Sequence, residues 1–390
     1  MSDDNTPRSL PWIERLVSLD TTSRDSNLPL IETVSAEFRR HGIEPHVFPN
    51  ADGSKANLVA TVPAADGTTS GGVVLSGHTD VVPVDDQDWD SDPFVPEVRD
   101  GRVYGRGTAD MKSFTAVGLT YLPEMVAAEL REPIHFALTY DEEVGCLGGE
   151  EIVKQIADLG LAPRAAIVGE PTSMRVIRGH KSINLIRVEF TGVAAHSSLT
   201  SSGVNAIEYA AELITFVRSI ADAWRADGPF DEAYPLAYST ASVNLIRGGI
   251  ASNTVPEECF VELEFRGIAE IDPDEIIDRI RGKADELAER MRAENPAAGI
   301  EVKVLAKVPG LDTPGDSAAI ALGDQLGAIP SEEKVTYGTE AGQFAGSGIE
   351  TVVCGPGDIA QAHAANEYVA LDQLVACERF VEKLIKVLSG

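Results

Sequence analysis

Two hydrophobic periods alternate along the first 180 residues. Apolar side chains recur at helical spacing over 10–19 and 29–42, the second run stopping at Gly42. Short apolar runs bounded by Gly, Pro and Asp at 57–62 and 72–76 predict strands. A helix is predicted over 113–130, a strand over 134–140, a helix over 148–158 and a buried strand over 165–169. Strands this continuously apolar must be covered on both faces, so their alternation with helices predicts an α/β layer with a mostly parallel sheet. After Gly179 the pattern changes. Residues 183–190 alternate like a half-exposed strand, followed by a helix over 203–225, strands over 238–247 and 258–266, a helix over 273–294 and a strand over 299–306. That β-α-β-β-α-β order is the split βαβ, ferredoxin-like unit. Past Pro309, strand-like segments near 335–337 and 350–354 and a helix over 371–388 resume the first pattern. The expected fold is therefore a discontinuous α/β domain, 1–180 and 309–390, with a mixed, mostly parallel sheet and helices on both faces. An α+β domain over 181–308 interrupts it.

Composition narrows the class of function. With 390 residues and 43% hydrophobic content, the chain can bury two cores. A net charge of −30 repels a phosphate backbone, so nucleic acid is not an expected partner. No apolar run approaches the roughly 20 residues that span a bilayer, so no membrane partner is expected either. The opening residues are acidic and polar, unlike a secretory leader. Cys146, Cys259, Cys354 and Cys377 are widely spaced and read as reduced thiols, consistent with a cytoplasmic protein.

Five segments carry metal-ligand side chains at predicted strand ends or in tight loops. In Ser76-Gly-His-Thr-Asp80, His78 and Asp80 fall on the same side of an extended backbone. Asp80 is placed to orient the imbuing histidine ring as metal ligands require, although a structural His–Asp pair has the same spacing. Asp110 ends a glycine-rich turn, Gly105-Arg-Gly-Thr-Ala-Asp110, and suits either a bridging carboxylate or a helix cap. Glu142 and Glu143 close an apolar strand and point different ways, so one can bind metal while the other serves as general base. Glu170 follows the strand over 165–169, and His363 follows the one over 350–354. Two histidines and three carboxylates suit zinc better than calcium, which prefers oxygen alone. All five lie just beyond strand ends, the edge where open α/β sheets place active sites.

These segments resemble a known family. Ser-Gly-His-Thr-Asp-Val-Val-Pro, Gly-Arg-Gly-Thr-Ala-Asp-Met-Lys, Asp-Glu-Glu-Val-Gly, Gly-Glu-Pro-Thr and the late Gln-Ala-His, spanning 76–363, are similar to those of the family containing acetylornithine deacetylase, succinyl-diaminopimelate desuccinylase, aminoacylase-1 and glutamate carboxypeptidase. The stretches Pro309–Pro314, Tyr337–Ala341 and Val353–Asp358 are most similar to its deacetylase members. The resemblance implies two Zn2+ ions per chain, with Co2+ or Mn2+ as alternatives. One ion would take His78 and Glu170, the other Glu143 and His363, with Asp110 bridging. It implies that Asp80 supports His78, that Glu142 is the general base, and that the Asp110–Met111 peptide is cis. It also implies a small N-acyl amino acid substrate, N-acetyl-L-ornithine foremost, cleaved in the 1–180 and 309–390 domain. Arg266 would clamp the substrate carboxylate, a position that equally suits a structural ion pair. Asn253, Gly338, Thr339 and Glu340 would line the same pocket. His196, in Ala-His-Ser, reads alone as a surface or capping histidine. The resemblance makes it an oxyanion donor reaching the partner's site in a homodimer paired through the inserted lid domain. Two departures from the family pattern are Lys181-Ser-Ile-Asn184 and Ala364-Ala-Asn-Glu367, the latter replacing a Pro-Asp-Glu run.

Overall fold

The apolar runs fold as strands whose side chains leave solvent on both faces. In the computed structural model, which describes residues 6–390, the first five sheet strands are β1 (His46–Pro49), β2 (Ala56–Val62), β3 (Val73–His78), β4 (Ile134–Thr139) and β5 (Ala165–Pro171). Every residue of β3, β4 and β5 is buried. Helix Lys112–Thr120 packs on β3, and helix Leu147–Asp158 packs on β2 and β4.

Internal contacts divide the chain into two units, one of Met1–Gly179, Leu311–Lys334 and Thr339–Gly390 and one of His180–Gly310 with Val335–Gly338. The second unit contains β6 (Ile183–Thr191), β7 (Thr240–Gly248), β8 (Glu258–Arg266) and β9 (Gly299–Val308), an antiparallel sheet in the order β7-β8-β6-β9. Burial alternates strictly along β6 and β8, because one face carries Ile186, Val188, Val261 and Leu263 into a core shared with the two long helices. Those helices, Ala206–Asp227 and Pro273–Glu294, are capped by Asn205 and Asp272, whose side chains accept first-turn N–H groups.

Returning to the first unit, the chain adds β10 (Glu350–Gly355) beside β5. The six-stranded order is β1-β2-β4-β3-β5-β10, with β4, β3, β5 and β10 parallel. Close approach at the end of the β5–β10 pair requires glycine, since a Cβ on Gly355 would lie 2.0 Å from the Gly169 carbonyl oxygen. This is the expected mixed, mostly parallel α/β sheet with its α+β insertion.

Three local expectations need revision. The helix expected over 113–130 is two, Lys112–Thr120 and Leu122–Ala127, because Pro123 supplies no N–H to continue the first. Residues 335–337 form no strand, and Val335 makes only an isolated bridge to His180. A ribbon of Glu97–Arg99, Arg102–Tyr104 and Tyr368–Ala370 and a helix at Ala318–Leu326 were not anticipated. Among the described residues no helix is long and apolar enough to cross a membrane.

Candidate metal centre

Four parallel strands deliver the candidate ligands to one sheet edge. His78 is the last residue of β3, Glu143 lies in the turn after β4, Glu170 is in β5 and His363 follows β10. Asp110 ends the glycine turn before helix Lys112–Thr120, and its peptide to Met111 is cis. The five form two groups with ligand atoms within 4.8 Å of one another: His78, Asp110 and Glu170, and Asp110, Glu143 and His363. Asp110 belongs to both because its two oxygens face opposite ways. Its Oδ1 is 2.9 Å from His78 Nε2, and its Oδ2 is 3.3 Å from His363 Nε2. Glu170 Oε1 lies 3.6 Å from His78 Nε2, and Glu143 Oε2 lies 3.0 Å from His363 Nε2.

Neighbouring groups fix these side chains. The Nδ1 of His78 bonds the main-chain oxygen of Asp80 at 2.9 Å, which leaves Nε2 facing the cluster. The Asp80 carboxylate, expected to hold that ring, pairs with Nδ1 at 3.6 Å and has closer partners besides. It accepts from the Ser23 hydroxyl at 2.7 Å and from the N–H groups of Glu142 at 3.1 Å and Glu143 at 3.3 Å. Asp80 thus orients the histidine through its carbonyl and the two glutamates through its carboxylate. Cys146, in a left-handed conformation, places its thiol 3.3 Å from Glu142 Oε1.

The donor set fits divalent cations. Among the described residues no lysine or arginine pairs with Asp110, Glu143 or Glu170, although all three are buried at the side chain. Glu143 Oε1 is buried with no hydrogen-bond partner. Burial pushes Asp110 up, but hydrogen bonds from His363 and His78 outweigh it and hold the carboxyl well below its usual range. The same bonds, to Asp110 first and then Glu143, raise His363 to about 10. Both histidines thus face an excess of carboxylate, the charge environment that divalent cations neutralise. Glu142 is pushed up to about 8, chiefly by burial, with the charges of Glu143 and Asp110 adding to it and His78 opposing.

The residues expected to bind substrate make contacts of their own in the ligand-free chain. Glu340 is fully buried, accepting the Ser76 hydroxyl at 2.6 Å and the Thr139 hydroxyl at 2.7 Å, so it braces β3 against β4. Thr339 is buried, its hydroxyl accepting the Ala341 N–H at 3.0 Å. In the second unit, Arg266 donates to Glu264 at 2.7 Å and to the Thr336 carbonyl at 3.1 Å, which is the ion-pair alternative. Gly338 lies against Ile183, whose side chain a Cβ would meet at 2.6 Å. The exposed His196 pairs with Thr254 in a short ribbon, and the main chain of adjacent Asn253 accepts the Ser197 N–H at 3.0 Å. Supporting residues that the sequence did not single out are Arg106 and Gln87. Arg106 had a signal, a charged residue inside a glycine turn, whereas Gln87 sits in an acidic run with none.

Two groups of metal-ligand side chains at the carboxyl edge of a parallel sheet point to a metal-dependent hydrolase, and sequence comparison agrees with that class. The model of peptidase family M20/M25/M40 matches residues 74–387, and the chain belongs to that family of hydrolases. Acetylornithine deacetylase of Myxococcus xanthus is 34% identical over 392 residues, covering 99% of this chain and 99% of that protein. Among solved structures, a tripeptidase of Staphylococcus aureus superposes with a TM-score of 0.73 at 23% identity, covering 98% of each chain. A dinuclear metal-binding peptidase of Bacillus subtilis gives 0.67 at 16% identity, again covering 98% of each. The resemblance to acetylornithine deacetylase read from the motifs is thus borne out along the chain's length.

Proposed function

We propose that this protein is a cytoplasmic two-ion amidohydrolase that cleaves N2-acetyl-L-ornithine to acetate and L-ornithine in arginine biosynthesis. The observation that carries the two-ion reading is Asp110, whose oxygens each face a separate histidine. His78 and Glu170 would hold one zinc and Glu143 and His363 the other, with cobalt or manganese as substitutes. When bound, the ion pair lowers the pKa of a shared water and polarises the scissile carbonyl. Glu142, whose N–H is tied to Asp80, takes the water's proton at its carboxylate and passes it to the leaving nitrogen. Its raised pKa suits a group that must both accept and return a proton near neutral pH. Substrate choice rests on the full-length similarity to a deacetylase that bears this substrate's name. Arg266, Asn253, Gly338 and Thr339 are assigned to substrate binding.

His196 is assigned to the partner's site in a homodimer formed through the second unit. Its tautomer supports this role. The Ser198 N–H donates to Nδ1 at 3.2 Å, so a neutral ring carries its proton on Nε2, on an exposed side chain. That is a donor ready for a developing oxyanion. A second reading, peptide hydrolysis, is favoured by the fold's likeness to a tripeptidase. Comparing kcat/KM over N-acetyl, N-succinyl and N-formyl amino acids and short peptides decides between them. N-acetylornithine should lead the panel, and a dipeptide ahead of every N-acyl amino acid overturns the assignment. Elemental analysis finding no metal in active protein overturns the two-ion reading.

A further inference from the structure

His363 is the odd member of the five candidate ligands. Its side chain is 56% exposed, whereas those of Asp110 and Glu143 are 7% and 6% exposed. Its backbone sits at φ 60°, in the left-handed region that only glycine adopts without cost. Neither packing nor backbone preference holds it in place, so its position depends on hydrogen bonds.

Those bonds form a continuous path. Gln87 Nε2 donates to the His363 carbonyl at 3.0 Å. Gln87 Oε1 accepts from Arg106 Nη2 at 2.7 Å and from Trp89 Nε1 at 3.1 Å. The Arg106 guanidinium, beneath the Trp89 ring, donates from Nη1 to Glu367 Oε2 at 2.6 Å in a buried ion pair. Glu367 then accepts the N–H groups of Gly107 at 3.1 Å, Ala109 at 2.8 Å and Asp110 at 3.0 Å. A second tie joins the same loop to the His363 turn, where the Asp90 N–H donates to Asn366 Oδ1 at 2.9 Å. Asn366 is itself at φ 58°, a conformation asparagine tolerates and proline cannot adopt.

We propose that Gln87, Arg106 and Glu367 are positioning residues that couple the backbone of His363 to that of Asp110, and that the loop over 86–90 thereby sets the affinity of the ion held by Glu143 and His363. This rests on the two-ion reading above. The ion on His78 and Glu170 is fixed by buried side chains and by the Asp80 carbonyl, none of which touches Gln87.

The test is calorimetric titration of the metal-free full chain with Zn2+. His363→Ala supplies the signature of losing one ion. Gln87→Ala should weaken that same ion about 10–100-fold and leave the other within about twofold, the usual size of an outer-layer effect on metal affinity. Thermal unfolding of the metal-free variant should match the parent. Gln87→Glu keeps the acceptor for Arg106 and Trp89 but not the donor to His363. It should weaken the same ion even though its added negative charge favours cations. Two ions bound by both Gln87 variants as tightly as by the parent would overturn the coupling alone. Equal weakening of both ions would overturn it too, as the mark of general structural loss. A parent chain that takes up no ion overturns this proposal together with the two-ion reading.

Discussion

Replacing Glu340 by alanine separates a bracing carboxylate from a substrate-binding one. The side chain is fully buried, and its oxygens receive one hydroxyl from β3, Ser76, and one from β4, Thr139. Thr139 pairs in register with His78, so the bond lies directly beside a ligand. A hydrogen bond to a charged group contributes about 1.5–3 kcal/mol. Ser76 keeps a fallback acceptor in the Ala137 carbonyl at 3.3 Å, so the loss amounts to the Thr139 bond and part of the other. The one buried methylene lost with the carboxylate adds about 0.8 kcal/mol. Relief of the charge's desolvation offsets some of this, giving a net loss of about 2–4 kcal/mol. Burial raises the Glu340 pKa, with the Ser76 and Thr139 bonds opposing, so the folded chain holds this proton more tightly than the unfolded one. The stability gap between parent and variant should therefore be full below the ordinary glutamate pKa of about 4.3 and shrink as pH rises through the folded value. Urea unfolding from pH 4.5 to 8, with KM for N-acetylornithine measured alongside, reads both quantities. KM should stay within about twofold, since both Glu340 oxygens are taken up by the Ser76 and Thr139 hydroxyls. A tenfold rise in KM with unchanged stability would refute the bracing role and return Glu340 to the pocket.

Other outcomes follow from the remaining groups. Glu142→Ala should retain both ions by elemental analysis yet lose about 10²–10⁴-fold in kcat; loss of an ion instead would exchange the roles of Glu142 and Glu143. Homodimers of His196→Ala and of Glu142→Ala should each be nearly inactive, while mixed dimers regain one working site. No recovery after confirmed chain exchange removes the role in trans. His180 donates from Nδ1 to the Lys181 carbonyl at 3.0 Å, and its buried Nε2 has no partner; burial lowers its pKa to about 4. Below its unfolded pKa of about 6.5 the unfolded chain binds a proton that the folded chain refuses, so this contribution falls by about 3 kcal/mol as pH drops to 4. His180→Asn preserves the donor without titrating. Denaturation should show the parent losing ground to it over that range, and a pH-independent difference contradicts this.

How far the sequence revealed the site depended on what each inference required. The five ligand segments were legible because histidine and carboxylates rarely follow apolar strands by chance, and the strand ends themselves were clear from the apolar runs. Alternation along 183–190 and 258–266 likewise showed a sheet with one covered face. The support of His78 by Asp80 is legible, but not that the shorter contact comes from the Asp80 carbonyl, at 2.9 Å against 3.6 Å for the carboxylate. Strand β3 ends at His78, so the extended spacing no longer dictates which oxygen meets the ring. The family resemblance places Glu340 with the pocket residues, and no pattern in Gly-Thr-Glu-Ala reveals the Ser76 and Thr139 hydroxyls that meet it. The break before Pro123 was available in the sequence and was outweighed by the helical period on either side. Gln87 had no signal at all, since its importance comes only from folding beside residues 276 positions away.

The inserted unit enters and leaves on neighbouring strands, with Ile183 opposite Val308 in an antiparallel pair. To the parent sheet, a detour of well over a hundred residues is therefore topologically equivalent to a short hairpin. Its closure entropy is met by the insert's own folding and not charged against the β5–β10 pairing that must form across it. In N-to-C synthesis the insert is made before β10, so it can fold while the parent sheet still lacks that one strand. The interval in which the β5 edge still awaits β10 is when the chain is most open to pairing with the wrong edge. Replacing the insert by a two- to four-residue turn should leave a parent domain that still folds, and would shorten that exposed interval.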